Sequence, residues 1–202
     1  EKDFDFDYQV AKNLYSKSSF QDTMVKRILE SKISEDKKYL YSDLGFYLYK
    51  KIIENSYQLT QDKILNKIFL KKLGMENMCY NPFKEIDMKR IVPTEVDNYY
   101  RNQLLIGHVH DMGAALQDGV GGHAGIFSSS NDLAKFMQLY LDNGIYGDER
   151  FLNESTIKKF TSRQYVFNVN RRGAGFDKPC LKDQEVGVAS KNVSMKSFGH
   201  TG

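Results

Sequence analysis

His108-x-His110, followed by Asp111 and later by His123, can present two imidazoles on one face of an extended segment, a spacing able to bind zinc. That makes a zinc-binding hydrolase using His108, His110 and His123 one reading of the chain. The fuller His-x-His-x-Asp-His pattern would need Asp and His where Met112 and Gly113 stand. His110 and Asp111 are therefore expected to be a hydrogen-bonded pair that fixes a loop, with no metal or other cofactor bound. Gly119-x-Gly121-x-x-Ala124 fits a dinucleotide fingerprint, but no apolar strand precedes it and the next helix opens only near Ser130, so that reading is set aside.

The elements that must carry these residues are mainly helices joined by polar loops. Ser19 and Asp22 make a capping-box-like start, after which Phe20, Met24, Val25, Ile28 and Leu29 share a face for about three turns. Ser42 can cap a second helix, with Leu44, Leu48 and Ile52 four apart. Thr60 opens a third through Ile64, Leu65 and Ile68, which should end near Leu73 because Gly74 suits a left-handed stop. From about Cys79 to Ser128 there is no helical period, and Asn81-Pro82, Pro93 and many glycines predict a long ordered loop. Ser129 or Ser130 caps a helix carrying Leu133, Phe136, Met137, Tyr140 and Leu141, stopped by Asn143-Gly144. A shorter helix spans Glu154 to Thr161, and the stretches 173–176 and 197–200 read as strand material. The fold class is thus α+β and mostly helical, with short strands near the C-terminus.

With 202 residues, 41% of them hydrophobic, the chain can bury one sizeable core. Its 29 basic and 26 acidic side chains give a net charge of only +3, without the basic footprint of a nucleic-acid binder. Lys63, Lys67, Lys71 and Lys72 read as a solvated helix face. No apolar run is long enough to span a bilayer, and no basic-then-apolar start marks a leader. Cys79 and Cys180 could pair or stay reduced.

Three segments then resemble one family. Tyr41-Ser42-Asp43-Leu44-Gly45 is similar to the Tyr-Ser-Asn/Asp-x-Gly stretch, and His200-Thr201-Gly202 to the Lys-Thr-Gly strand edge, of serine hydrolases of the β-lactamase and penicillin-binding-protein type. Gly107 to Asp111, Gly119 to Ser128 and Asp132-Leu133-Ala134-Lys135-Phe136 resemble the family's glycine-rich segment and the helix after it. Leu73-Gly74-Met75 is similar to the family's Leu-Gly-Met at a helix end, and Arg90 to Glu95, Val109-His110-Asp111 and Arg172 to Pro179 narrow the resemblance to the β-lactamase-like domain joined to family-3 glycoside hydrolases. The resemblance runs from about Gln9 to Gly202.

The resemblance implies the helical region of a β-lactamase/transpeptidase-like fold, as one domain over 1–202 with a helical part at about 9–161 and a strand-containing part at about 162–202. It implies that Tyr41 takes the proton of a nucleophilic serine, that Asp43 and His200 shape the electrostatics, and that Thr201 and Gly202 place the substrate. A tyrosinate beside cations can act so because opposite charge lowers its pKa, and histidine in place of lysine makes the charge at 200 pH-dependent. The nucleophile itself belongs to a Ser-x-x-Lys motif. Ser34-Glu35-Asp36-Lys37 lies in a polar loop, and Ser155-Thr156-Ile157-Lys158 follows Tyr41, which reverses the family order. The chain is therefore expected to be truncated at both ends, with the serine upstream. Esters, D-amino-acid peptides and β-lactams are the substrate classes implied, with a periplasmic or extracellular location. A catalytically inactive accessory or binding module of a glycosidase is the alternative from another class.

Overall fold

The computed structural model describes residues 5–36, 39–166, 170–180 and 192–200. The chain divides into two compact units, Glu1–Ser34 with Tyr41–Lys135, and Glu35–Leu40 with Phe136–Gly202.

The first unit opens with a hairpin that the helical reading passed over. Strands β1 (Tyr8–Ala11) and β2 (Leu14–Ser16) pair antiparallel, and Asn13 turns the chain between them at φ 59°. Val10 and Ala11 are buried, and Val10 packs in one cluster with Val109, Ala114 and Ala115.

Helix α1 (Phe20–Leu29) and helix α2 (Leu44–Tyr57) follow as the periodicity predicts. Ser42, expected to cap α2, stands one residue before the N-cap, Asp43, which makes no capping side-chain bond; Ser42 Oγ accepts the Leu44 N–H at 3.3 Å. The face of α2 is not the expected one. Leu44 and Ile52 are 46% and 58% exposed, whereas Lys50 is 5% exposed, with its ammonium 4.0 Å from Glu54. Burial pushes the Lys50 pKa down, and Glu54 offsets only part of that.

Helix α3 (Gln61–Leu65) runs on through a widened turn over Asn66–Leu70, where the Lys71 N–H reaches back to the Asn66 carbonyl. Gly74, at φ 62°, then ends it close to the expected place. Ile64, Leu70 and Leu73 are buried, while Lys63, Lys67, Lys71 and Lys72 lie outside as a solvated face.

The expected long loop is ordered by short elements. Strand β3 (Cys79–Tyr80) pairs with β6 (Ile126–Phe127), and β4 (Glu95–Asp97) pairs with β5 (Gln103–Leu105). Between these ladders lies helix α4 (Met112–Ala115). The strands have two or three residues and α4 only four, about one helical turn, so the sequence carried no repeated period to announce them.

Helix α5 (Ser130–Leu141) begins where expected. Ser129 caps it, its carbonyl accepting the Leu133 N–H at 3.0 Å and its Oγ the Asp132 N–H at 3.2 Å. Buried Asp132 also accepts the Asn77 N–H at 2.6 Å, which ties the chain after α3 to the start of α5.

In the second unit, strands β7 (Ile145–Tyr146) and β8 (Glu149–Arg150) form a small hairpin ahead of helix α6 (Glu154–Thr161). The strands expected near the C-terminus reduce to one antiparallel bridge, Asp177 to Gly199, among the described residues. Phe176 and Phe198 instead stack edge-on against each other at 5.2 Å and against Tyr140 at 5.3 and 6.1 Å. Aromatic packing on α5, rather than a ladder, holds this segment. Both cysteines carry free thiols.

Candidate active site

Tyr41 and Asp43 stand at the mouth of α2, and the phenol of Tyr41 is accessible, the residue being 52% exposed. What holds this mouth is the glycine-rich segment. The chain at Gly122 passes so close to the Phe46 carbonyl in the first turns of α2 that a side chain there would collide with it.

One turn into α2, the Tyr47 ring stacks on His123 with centroids 4.6 Å apart and planes at 15°. His123 Nε2 lies 2.8 Å from Asp111 Oδ1, and the same carboxylate oxygen accepts the Ala114 N–H at 2.6 Å as N-cap of α4. The hydrogen bond from His123 leads the interactions that hold the Asp111 carboxyl below its usual range. Buried Nδ1 of His123 has no hydrogen-bond partner among the described residues. Burial pushes the Tyr47 phenol up to about 12, so this tyrosine stays neutral and serves as a packing surface.

The loop that brings Asp111 to His123 is itself clamped by a buried arginine. Arg101 donates from Nε to Asp97 at 2.6 Å, from Nη1 to the Val109 carbonyl at 2.6 Å and from Nη2 to the His110 carbonyl at 2.5 Å. The hydrogen bond from Arg101, followed by backbone N–H groups of Tyr100 and Tyr99, holds the Asp97 carboxyl far below the usual range.

This arrangement corrects the expected His110–Asp111 pair. His110 is exposed and faces Glu95 at 3.6 Å, while Asp111 is taken by His123. The third histidine, His108, stacks on Phe83 at 4.2 Å, and burial pushes it down to about 4, aided by the charges of Arg101 and Lys84. His108, His110 and His123 thus have separate partners, and no three His, Cys, Asp or Glu side chains converge as a metal cage among the described residues.

Neither Ser-x-x-Lys builds a serine–lysine pair among the described residues. Ser155 opens α6, but Lys158 Nζ is bound to Glu154 at 2.6 Å on the exposed surface. Lys37 of the other motif lies outside the described residues.

In the second unit, the hydrogen bond from the Gly173 N–H to the Phe176 carbonyl closes a two-residue turn over Ala174 and Gly175, and Gly175 takes φ 84°. The turn places Arg172 beside His200, with Arg172 Nη1 3.1 Å from His200 Nε2. Arg171 grips Asp177 with two bonds, Nε to Oδ1 at 2.7 Å and Nη2 to Oδ2 at 3.1 Å. Burial pushes the Asp177 carboxyl up, but Arg171 and the charge of Arg172 outweigh it and hold the group below its usual range. Thr201 and Gly202, expected to place the substrate, lie outside the described residues.

Sequence reasoning missed Tyr47, Arg101 and Arg172 as parts of these sites. Arg172 did stand in a stretch that carried the resemblance, but nothing in the spacing tied it to His200, 28 residues on.

The comparisons with known proteins agree with this architecture. The chain is 31% identical over 165 residues to an Escherichia coli K12 protein named "Putative D-alanyl-D-alanine carboxypeptidase", a match covering 76% of this chain and 38% of that protein. It is 29% identical over 199 residues to a protein of the same name from Salmonella paratyphi B, covering 93% of this chain and 45% of that protein. The chain therefore spans less than half the length of these relatives. Among solved structures, D-amino acid amidase from Ochrobactrum anthropi SV3 superposes with a TM-score of 0.57 at 14% identity, over 85% of this chain and 51% of that one. The penicillin-binding protein homologue of Pyrococcus abyssi gives 0.56 at 18%, over 79% and 35%. These likenesses show the β-lactamase/transpeptidase-like fold. Residues 2–202 match the family described as Beta-lactamase, and the chain belongs to that family.

Proposed function

We propose that the complete polypeptide carrying this chain is a serine hydrolase that forms an acyl-enzyme on a serine supplied from outside these 202 residues, with Tyr41 as the base that takes the serine proton. The observation that carries this reading is the pairing of an accessible phenol at the mouth of α2 with a glycine-rich segment packed against the first turns of the same helix. A general base must reach a substrate-side proton and hold still while it does so. Exposure of Tyr41 supports the first requirement, and the Asp111–His123–Tyr47 stack supports the second. The bond attacked is an amide or ester, and the names of the sequence relatives favour a peptide of D-amino acids.

The test is Tyr41→Phe in the complete polypeptide, assayed on an acetate ester with circular dichroism as the folding control. Loss of the base should lower turnover about 10²- to 10⁴-fold. The ring stays in place, so stability should fall by no more than about 1 kcal/mol. Unchanged turnover in a folded variant would remove Tyr41 from catalysis and favour the accessory-module reading.

A further inference from the structure

The first unit holds a cavity that the hydrolase reading does not use. It has a volume of about 430 Å³, within the range of small-molecule pockets, and its apolar wall is made by Pro82, Ile86, Ile91, Val92, Pro93 and Phe127. Arg90 is the one ionisable side chain among the residues that line it.

The guanidinium is held from behind. Arg90 Nη2 donates to Asn77 Oδ1 at 2.7 Å, and the Asn77 N–H donates at 2.6 Å to Asp132, a buried carboxylate in the first turn of α5. The backbone of Arg90 is fixed as well. Met88–Arg90 form a single 3₁₀ turn capped by Asp87, whose Oδ1 accepts the Lys89 N–H at 3.0 Å, and the Arg90 N–H returns to the Asp87 carbonyl at 2.9 Å. Among the described residues no carboxylate comes within ion-pairing distance of Arg90.

The other polar groups of the wall are already engaged. Thr94 Oγ1 donates to the His108 carbonyl at 3.0 Å, Ser128 Oγ donates to the Ser129 carbonyl at 3.1 Å, and Ser129 Oγ accepts the Asp132 N–H at 3.2 Å. The donors that remain for a guest are chiefly those of the guanidinium, which spends only its Nη2 bond on Asn77. Apolar walls favour a guest with an apolar body, and a lone cation with no acid beside it favours a negative end, for which the planar fork of arginine is suited to a carboxylate.

We propose that this cavity binds a small organic anion, a carboxylate carried on an aromatic or branched aliphatic body, with Arg90 gripping the carboxylate and the body lying against Ile91, Pro93 and Phe127. The proposal does not rest on the hydrolase reading, since neither Tyr41 nor the Asp111–His123–Tyr47 stack lines the cavity.

The test is an NMR titration of the complete polypeptide, labelled at its isoleucine methyls, with 3-phenylpropionate and with 3-phenylpropanamide, which share a body and differ in charge. The acid should move the Ile86 and Ile91 methyls and bind about threefold to tenfold more tightly than the amide, the range for a well-aligned ion pair at a solvent-exposed rim. Arg90→Gln should abolish the preference and leave the weaker binding of the amide. Arg90→Lys should keep part of it, because lysine returns the charge without the fork. Lys89→Gln, one residue away and not on the wall, should leave the preference intact. Equal affinity for acid and amide would overturn the assignment, as would unmoved Ile86 and Ile91 methyls, a preference that survives Arg90→Gln, or an equal loss in Lys89→Gln. If Arg90→Gln does not fold, Val92→Asp decides. Val92 lies on the wall and is 79% exposed, so an acid there sets a competing charge beside Arg90 without disturbing a core. It should weaken the acid and spare the amide, and an undiminished preference for the acid would overturn the role of Arg90.

Discussion

Gly113, Tyr47 and His123 show how little room surrounds the residues that hold α2. A Cβ built on Gly113 falls onto the Tyr47 hydroxyl, while Tyr47 is already stacked on His123. Alanine usually favours a helix over glycine by about 1 kcal/mol, and Gly113 lies in α4, so helix propensity and packing pull in opposite directions. Overpacking in a well-filled site costs about 1–3 kcal/mol and should win. Gly113→Ala is therefore expected to lower the melting temperature, and to lower it less in a Tyr47→Phe background, where the obstructing hydroxyl is gone. An equal penalty in both backgrounds, measured by thermal denaturation, would show that the hydroxyl is not the obstacle.

At the scale of elements, the hairpin of β4 and β5 works through charge held out of water. Its Asp97 orders Arg101, and Arg101 binds the two carbonyls just before Asp111, so the hairpin sets the loop that caps α4 and reaches His123. Buried His108 lies in the same loop and is pushed down to about 4 against an ordinary value of 6.5. Between those values the unfolded chain binds a proton that the folded loop refuses. Stability should therefore be full above about pH 6.5 and decline as the pH falls toward about 4. Asp97, depressed in the fold, adds a second loss below about pH 4, where the unfolded carboxylate takes its proton first. Melting temperatures across this range should show both losses. In His108→Leu the decline between pH 6.5 and 4 should flatten while the lower one remains. An unaltered slope above pH 4 would mean that another group titrates there.

For the molecule as a whole, no serine–lysine pair is built among the described residues. Lys158 is bound to Glu154 at the exposed surface of α6, and Ser155-x-x-Lys158 follows Tyr41, against the family order. The 202-residue chain on its own is therefore expected to form no covalent adduct with penicillin, whereas the complete polypeptide should acquire one acyl group. Intact mass after incubation measures both, and labelling of the isolated chain at Ser155 would overturn the family-order argument. Exposure along α2 is relevant to handling that sample. Leu44, Tyr49, Ile52 and Tyr57 are all large, apolar and exposed, a pattern that favours association in water.

What the sequence determined by itself was carried by local chemistry and by order along the chain. The cap at Ser129, the stop at Asn143-Gly144 and the span Glu154 to Thr161 follow from short-range hydrogen bonding and a 3.6-residue period, and the structure keeps them. The family, too, was legible, because Tyr41-Ser42-Asp43, the glycine-rich run and Arg172 to Pro179 stand in a fixed order. What only the tertiary structure decided was which polar groups meet. Asp111 could have paired with its neighbour His110, but the Arg101 clamp on the preceding carbonyls leaves it bound to His123 on Tyr47. The spacing of Leu44, Leu48 and Ile52 marked an apolar stripe on α2, yet burial of Lys50 and exposure of Leu44 and Ile52 depend on what packs against the helix. Arg172 reaches His200 through a two-residue turn and a single bridge, across 28 residues of chain. Periodicity reports each element's own geometry, whereas pairings between distant residues depend on the closure of loops whose course no local preference encodes.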